Sequence, residues 1–350
     1  MLKKPMEIER IIAEALSGLE SRQKNVLEKR FGLKNGKEAT LAELGETYEV
    51  TRERIRQIEA GAIKEVRGKI GGGRGVFDAV KDYLKSYGGA RREDILLGDL
   101  RALFVSASPL RIFSAQMKFL REVFGGIKLF SENDNLHSFW YLNEEDKKTA
   151  VKLVGDLARV LASKKEEVIT HKKFDSLFGK ALAPHGLKDF IGLNYLNISK
   201  KFNSNPFGDF GLSEWPEITP KRMGDKAYLV LKKTSRPMHF RELTKAINLA
   251  KFDQRTAYPQ TVHNELIKDS RFVLVGRGSY SLKEFGLLPG TVKEVIARFI
   301  KKRGPMNSGE VVASVCSERL FKKNTVLLNL QNKKLFKRLD DGRYSLIRDA

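Results

Sequence analysis

The sequence predicts a mainly α protein with small β-hairpins: an N-terminal helix-turn-helix bundle followed by tandem winged-helix modules. Three observations lead to this fold class. Residues 40–69 carry two capped, amphipathic helical patterns with a three-residue turn between them. The rest of the chain repeats weakly. Its four aromatic-x-Leu strands (Trp140-Tyr141-Leu142, Phe210-Gly211-Leu212, Tyr280-Ser281-Leu282 and Tyr344-Ser345-Leu346) have aromatic residues 70, 70 and 64 positions apart. That interval fits a small domain and is too long for a solenoid unit. Finally, each of these strands follows another short apolar-alternating strand and a turn, with helical patterns ahead of it. Three helices and then a hairpin is the order of a winged helix.

The first module is built as follows. Thr40-Leu41-Ala42-Glu43 has the Thr-x-x-Glu spacing of a capping box. Leu41 and Leu44 face inward, and Gly45 admits a close helix approach. Tyr48-Glu49-Val50 is short enough for the turn, and Thr51 is a good N-cap. The helix that follows places Ile55, Ile58, Ala62, Ile63 and Val66 on one buried stripe, at i, i+3, i+7, i+8 and i+11. Arg52, Glu53, Arg56 and Gln57 lie off that stripe, crowded into the first two turns. Arg and Gln pair bidentately with guanine and adenine edges, and Glu accepts from cytosine N4. The N-terminal end of the second helix is also the end that a helix-turn-helix inserts into the major groove. Arg54 points nearer the flank and reads as a phosphate contact, and Thr51 completes the candidate set. An ordinary three-helix bundle with a solvated basic face is the plain alternative. The cap, turn, stripe and Arg/Gln placement together argue against it.

Residues 1–70 form this module, and Gly71-Gly72-Gly73-Arg74-Gly75 reads as a linker. The run lacks the Gly-Lys-Ser/Thr ending of a phosphate loop and follows no strand. Residues 76–145 and 146–222 then read as degenerate winged helices, 223–287 as the clearest one and 288–350 as a second of that type. The hairpins are marked by Gly276-Arg277-Gly278 and Asp340-Asp341-Gly342. Strand alternation places at least one of Trp140 and Tyr141 in the core. The third helix of the fourth module, Thr256–Lys268, is less basic than the first module's, so DNA reading and a structural or protein-binding role both stay open. Arg277, between two glycines in a wing, is a candidate for minor-groove or phosphate contact. A solvated turn arginine is the alternative there.

Hydrophobic residues make up 41% of the chain, which predicts buried cores. A formal net charge of +22, spread along the chain, points to a polyanionic partner, and double-stranded DNA is the expected one. Cys316 is the single cysteine, so no intramolecular disulfide or cysteine-based metal cluster is expected, and it sits in an apolar run. The five histidines show no ligand spacing, and no metal or cofactor is expected. No apolar run approaches the roughly 20 residues of a membrane span, and the N-terminus shows no signal peptide. A cytoplasmic, nucleoid-associated protein without a membrane partner is expected. Motifs for nucleophilic, zinc or dinucleotide chemistry are missing from the sequence. The expectation is therefore a protein that is not an enzyme and has no small-molecule substrate.

Leu19-Glu20-Ser21-Arg22-Gln23, Arg30-Phe31-Gly32-Leu33, Thr40-Leu41-Ala42-Glu43-Leu44-Gly45 and Thr51–Ala60 together resemble region 4 of bacterial primary sigma factors, over about residues 5–70. The resemblance implies recognition of the minus-thirty-five promoter element and docking on the beta flap of core RNA polymerase. It assigns base and phosphate contacts to Arg52, Glu53, Arg56 and Gln57. Gly61 departs from the family, and no aromatic-rich segment of the kind that melts promoter DNA is recognisable. Residues 225–285 are similar to a HARE-type helix-turn-helix domain on Arg236-Pro237-Met238-His239-Phe240-Arg241-Glu242-Leu243, Thr261–Leu266 and Arg271–Gly278. That family includes the N-terminal domain of the RNA polymerase delta subunit, and residues 290–348 resemble it more faintly. The favoured reading is a DNA-binding transcription factor. The alternatives are an RNA polymerase accessory or competitor acting by protein contact, or a HARE-type sensor of modified DNA.

Overall fold

The computed structural model describes residues 8–286, 290–318 and 321–347, which split after Phe202 into two compact units. It is mainly helical, with small antiparallel sheets of two or three strands.

The first unit opens with helices α1 (Ile8–Ser17), α2 (Ser21–Phe31), α3 (Leu41–Thr47) and α4 (Arg52–Lys69). Helix α1 buries Ile8, Ile12, Ala15 and Leu16, a helical stripe. Helix α2 stops at Gly32, whose φ of 68° lets Leu33 N–H reach back to the Glu28 carbonyl at 2.9 Å.

Residues 71–75 are not a linker. Helix α5 (Gly71–Ser86) begins just after α4 ends, and only Ile70 separates the two. The reason lies in packing. Val76, Phe77, Val80 and Leu84 repeat at helical spacing and are buried, which holds the glycine run in the helix despite its backbone entropy. A side chain at Gly73 would come within 2.9 Å of Ile70 and 3.2 Å of Phe124, so here glycine serves a close approach.

After α5 come β1 (Ala90–Arg92), α6 (Glu93–Leu103), α7 (Leu110–Phe124), β2 (Lys128–Phe130) and β3 (Phe139–Tyr141). The sheet order is β1-β3-β2. One continuous core runs from α1 through α2, α4, α5 and α7 to Trp140. Phe31 of α2 meets Phe119 of α7 edge to face, with ring centroids 5.2 Å apart. The first helix-turn-helix therefore shares its core with residues 76–142. Trp140 and Tyr141 are both buried, and the Trp140 indole donates to Glu93 at 3.1 Å.

Helices α8 (Glu144–Ala162), α9 (Lys165–Ile169), α10 (Phe174–Leu182) and α11 (Asp189–Leu196) lead to the hairpin of β4 (Phe202–Ser204) and β5 (Phe210–Leu212). A polar lock joins α11 to β1. Buried Arg91 donates to Asn194 Oδ1 at 3.0 Å and to Asp99 at 2.8 Å, and its guanidinium lies 3.9 Å from the Tyr87 ring centroid. The Asn194 amide group donates in turn to the Tyr87 and Ala90 carbonyls, at 2.8 and 2.7 Å. Buried polar groups persist when their bonds are made, and these are.

In the second unit, α12 (Met223–Thr234), β6 (Met238–His239), α13 (Phe240–Ala250), α14 (Pro259–Lys268), β7 (Phe272–Gly276) and β8 (Ser279–Leu282) repeat the plan of residues 71–141, with sheet order β6-β8-β7. Lys226, almost fully buried, is neutralised by Asp253 at 2.7 Å. The last group is α15 (Val292–Arg303), α16 (Ser308–Glu318), α17 (Lys323–Leu330), β9 (Phe336–Arg338) and β10 (Tyr344–Leu346). Its first strand shrinks to a single bridge between Met306 and Tyr344. Cys316 is half-buried beside this core.

The shared core has a measurable consequence. Phe119→Ala removes a fully buried ring and should cost about 3–5 kcal/mol. Amide exchange should accelerate in α2 and α4 as well as in α7. Unchanged protection in α2 and α4 would show that the first module is energetically separate.

Candidate nucleic-acid interface

The geometry of the candidate interface starts at Thr40. Its hydroxyl accepts from Glu43 N–H at 3.2 Å, while the Glu43 carboxylate accepts from Thr40 N–H at 2.7 Å. The bond from the Thr40 backbone N–H and then the one its hydroxyl donates to the same carboxylate at 2.9 Å hold the Glu43 carboxyl below its ordinary pKa. Helix α3 ends at the turn through Tyr48, Glu49 and Val50. Glu49 takes a left-handed φ of 56°, and Val50 N–H donates to the Gly45 carbonyl at 2.9 Å. A Cβ at position 45 would lie 2.8 Å from the Val50 carbonyl oxygen, so the turn closes only over glycine. Beneath it, Val26, Leu44 and Ile55 form a small buried core, with Leu41, Tyr48, Val50 and Ile58 packed around it.

Thr51 caps α4, accepting from Arg54 N–H at 3.2 Å. Along α4 the buried residues are Ile55, Ala62 and Val66. Ile58 and Ile63 are only half-buried, Ile58 beside the small core of Val26, Leu44 and Ile55 and Ile63 against the larger core that holds Ala62 and Val66. Arg52, Glu53, Arg54, Arg56 and Gln57 are all exposed on the first two turns. In the free protein four of them pair with one another. Arg56 forks onto Glu53 at 2.7 and 2.9 Å, and Arg54 donates to Gln57 Oε1 at 3.2 Å. The Arg56 hydrogen bonds lower the Glu53 pKa, and Glu53 raises that of Arg56. Both partners are fully solvated, so this pairing is readily exchanged for another.

The rear of α4 is anchored. Arg67 donates through Nε to the Val123 carbonyl and through Nη2 to the Glu122 carbonyl at 3.4 Å. Glu59, half-buried, faces Arg30 at 3.5 Å, and burial raises its carboxyl pKa.

Two cations that the sequence reading overlooked stand by the turn. Arg22 and Lys29 of α2 lie over the Tyr48 ring, at 5.6 and 5.2 Å from its centroid, and Arg22 Nη2 approaches the Tyr48 carbonyl at 3.5 Å. The available signal was Tyr48 itself, an aromatic residue in a turn beside a basic helix.

Arg277 belongs to the second unit, at the exposed tip between β7 and β8. Gly278 has φ 68°, and a Cβ there would meet His239 Nε2 at 2.7 Å. The third helix of this module starts at Pro259 rather than Thr256, because proline sets the first helical position and leaves Tyr258 extended as its N-cap. Its outward residues include Gln260, Asn264, Ile267 and Lys268. His263 turns inward and stacks on Phe240 with centroids 4.5 Å apart.

Comparison with known proteins gives two family matches. Residues 15–68 match the model described as Sigma-70, region 4. Residues 223–285 match the HARE-HTH model, described as a helix-turn-helix domain of ASXL and restriction endonuclease proteins among others. A protein named RNA polymerase sigma factor SigA, from Lactococcus lactis subsp. cremoris, is 54% identical over 54 residues, which is 15% of this chain and 15% of that protein. The protein of the same name from Lactococcus lactis subsp. lactis (strain IL1403) is 54% identical over 54 residues, 15% of this chain and 14% of its own length. The chain thus spans about a seventh of the length of these relatives. The chain carries a region 4-type helix-turn-helix and a HARE-type helix-turn-helix domain, each over its own segment.

Gly61 lies inside α4, is exposed, and has open space where a Cβ would stand. Gly61→Ala should therefore stabilise the protein by about 0.5–1 kcal/mol, through helix propensity and a less disordered unfolded chain. Denaturant unfolding checks this, and a loss of stability would mean that the position is not the open helix site described.

Proposed function

We propose that this chain is a DNA-binding transcription factor that reads a promoter-type element in the major groove through the first two turns of α4 and acts with RNA polymerase in initiation or its regulation. One observation carries the reading: Arg52, Glu53, Arg54, Arg56 and Gln57 are gathered, exposed, on the capped end of a helix whose other half is buried. In this mechanism Arg56 leaves Glu53 for a guanine edge, and Gln57 leaves Arg54 for an adenine edge. Each such pair is worth about 1–3 kcal/mol of discrimination. Glu53, once released, accepts from cytosine N4. Arg52 and Arg54 hold phosphates, with Thr51 setting the helix end, and Arg22 and Lys29 extend that contact beside the turn. Arg277 adds a phosphate or minor-groove contact from its wing. Contact with the beta flap of core polymerase follows from the region 4 likeness, as does a cytoplasmic, non-enzymatic role. No helix among the described residues is long and apolar enough to cross a membrane.

A second reading, an accessory protein that works by protein contact on polymerase, has its own observation. The HARE-type module exposes Leu249, Tyr258, Ile267 and Leu274. Salt separates the two readings, because counterion release weakens DNA binding steeply while apolar contact survives.

Arg56→Ala and Gln57→Ala should weaken binding to the selected site far more than binding to random duplex. Arg54→Ala should weaken both alike and reduce the salt slope by about 1. Titrations on both duplexes at two salt concentrations decide the matter. An unchanged specific-to-random ratio in folded Arg56→Ala and Gln57→Ala proteins removes α4 as the reader and leaves the accessory reading.

A further inference from the structure

The two winged-helix modules of the second unit can be laid over each other by their landmarks. Phe272 opens β7 as Phe336 opens β9, Tyr280 lies in β8 as Tyr344 lies in β10, and Tyr258 caps α14 as Lys322 caps α17. Each pair is 64 residues apart. At this offset six positions that are not basic in the earlier module are basic in the later one. Tyr258, Pro259, Asp269, Ser270, Val273 and Leu274 in the earlier module become Lys322, Lys323, Lys333, Lys334, Lys337 and Arg338 in the later one.

Net charge does not separate the modules. Described residues 290–318 and 321–347 hold twelve Lys and Arg against five Asp and Glu, and residues 223–286 hold twelve against six. The positions of the cations separate them. In the earlier module Lys226, Lys232, Arg236 and Arg271 are each held by a carboxylate. In the later one these six basic residues are exposed, and no ion pair engages them among the described residues.

We propose that the turn after α17 and strand β9, with the exposed Lys333, Lys334, Lys337 and Arg338, form a second, sequence-independent anchor for duplex DNA. It deepens the DNA-binding reading above, but it rests on different residues. Local geometry holds the cations in place. The Asn332 side chain accepts from Lys334 N–H at 3.0 Å, and its carbonyl accepts from Phe336 N–H at 3.0 Å, so the Lys333-Lys334 turn is tight. Phe336 points into the core while Lys337 and Arg338 stay outside, paired in the ladder with Ser345 and Tyr344. Duplex DNA fits this face better than other polyanions. A single strand calls for exposed aromatic platforms, and Phe336 is buried and Tyr344 half-buried. A membrane surface calls for an apolar face beside the charge, and Leu328 is the one large apolar side chain strongly exposed in α17. The hairpin tip carries Asp340 and Asp341, the latter held by Arg343 at 2.7 Å. The phosphates therefore meet the base of the wing, not its tip.

The test uses the full chain and a random-sequence duplex of about 30 base pairs, long enough to carry the several phosphate contacts that set a salt slope. Lys333→Gln/Lys334→Gln/Lys337→Gln should reduce the salt slope of binding by about 2 to 3 and leave the specific-to-random ratio unchanged. Lys148→Gln/Lys152→Gln/Lys180→Gln, the same charge loss on α8 and α10, should leave the slope as it is. Repeating the first triple in an Arg56→Ala/Gln57→Ala background separates the two sites: the same drop there stands even if α4 reads nothing. An unchanged slope in the β9 triple, an equal drop in the control triple, or tighter binding of a single strand of the same length than of the duplex would each overturn the proposal.

Discussion

Helix α4 has two halves with opposite requirements, and the contact between its rear half and α7 is what the first unit depends on. Ala62 and Val66 are fully buried in a core that also holds Phe77, Phe113, Phe119 and Val123. Arg67 ties the same end to the backbone at Val123. With the rear fixed, the direction of the front is fixed too, because an 18-residue helix is a stiff rod of about 27 Å. The exposed Arg and Gln side chains are thus held at a defined angle without any contact of their own to the core. A recognition helix carried by a three-helix bundle alone would depend on a much smaller core. Here it borrows a second module's.

That borrowing is also where the sequence was least legible. The capping box at Thr40, the turn at Gly45–Val50, the Thr51 cap and the Ile55–Val66 stripe are local signals, each set by residues within a few positions, and each can be read directly. Trp140 and Tyr141 were placed correctly by alternation. The Gly71–Gly75 run was misread because composition speaks for flexibility, while the structure is decided by Val76, Phe77, Val80 and Leu84 further along the same helix. The Phe31–Phe119 contact spans 88 positions and leaves no periodic trace. The Arg56–Glu53 and Arg54–Gln57 pairs were visible as i, i+3 spacings, but these residues were read for their reach toward DNA and not for their reach toward each other.

The same helix–strand–helix–helix–hairpin plan is used at 71–141 and 223–282, and with a shortened first strand at 292–346. Its repetition shows how little of a module's surface the fold dictates. The hairpin aromatic, the buried leucines and the strand register recur, because a small two-layer domain has few ways to close. The outer face of the third helix and the wing is free to change, and it has changed from Tyr258 and Leu274 to Lys322 and Arg338. Overall charge hides this difference, since the earlier module carries its cations at other positions, four of them in internal pairs such as Arg271 with Asp225 and Asp269. The modules differ in where their cations stand, and each cation in whether it already has a partner.

In the DNA-reading role proposed for α4, the same criterion separates its residues. Arg52 carries no ion pair among the described residues and is available at once to a phosphate. Arg56 and Gln57 are held by Glu53 and Arg54 and must exchange those bonds. A base edge that accepts both Arg56 donors in a dry groove replaces the Glu53 fork with an equal number of bonds. It also leaves Glu53 in need of a donor, which cytosine N4 supplies. A sequence lacking that donor strands a carboxylate next to the phosphate backbone. In that proposed reading the pre-formed pair sharpens selectivity by making the wrong site costly, and it does so through Glu53, the one acid among the candidate contacts.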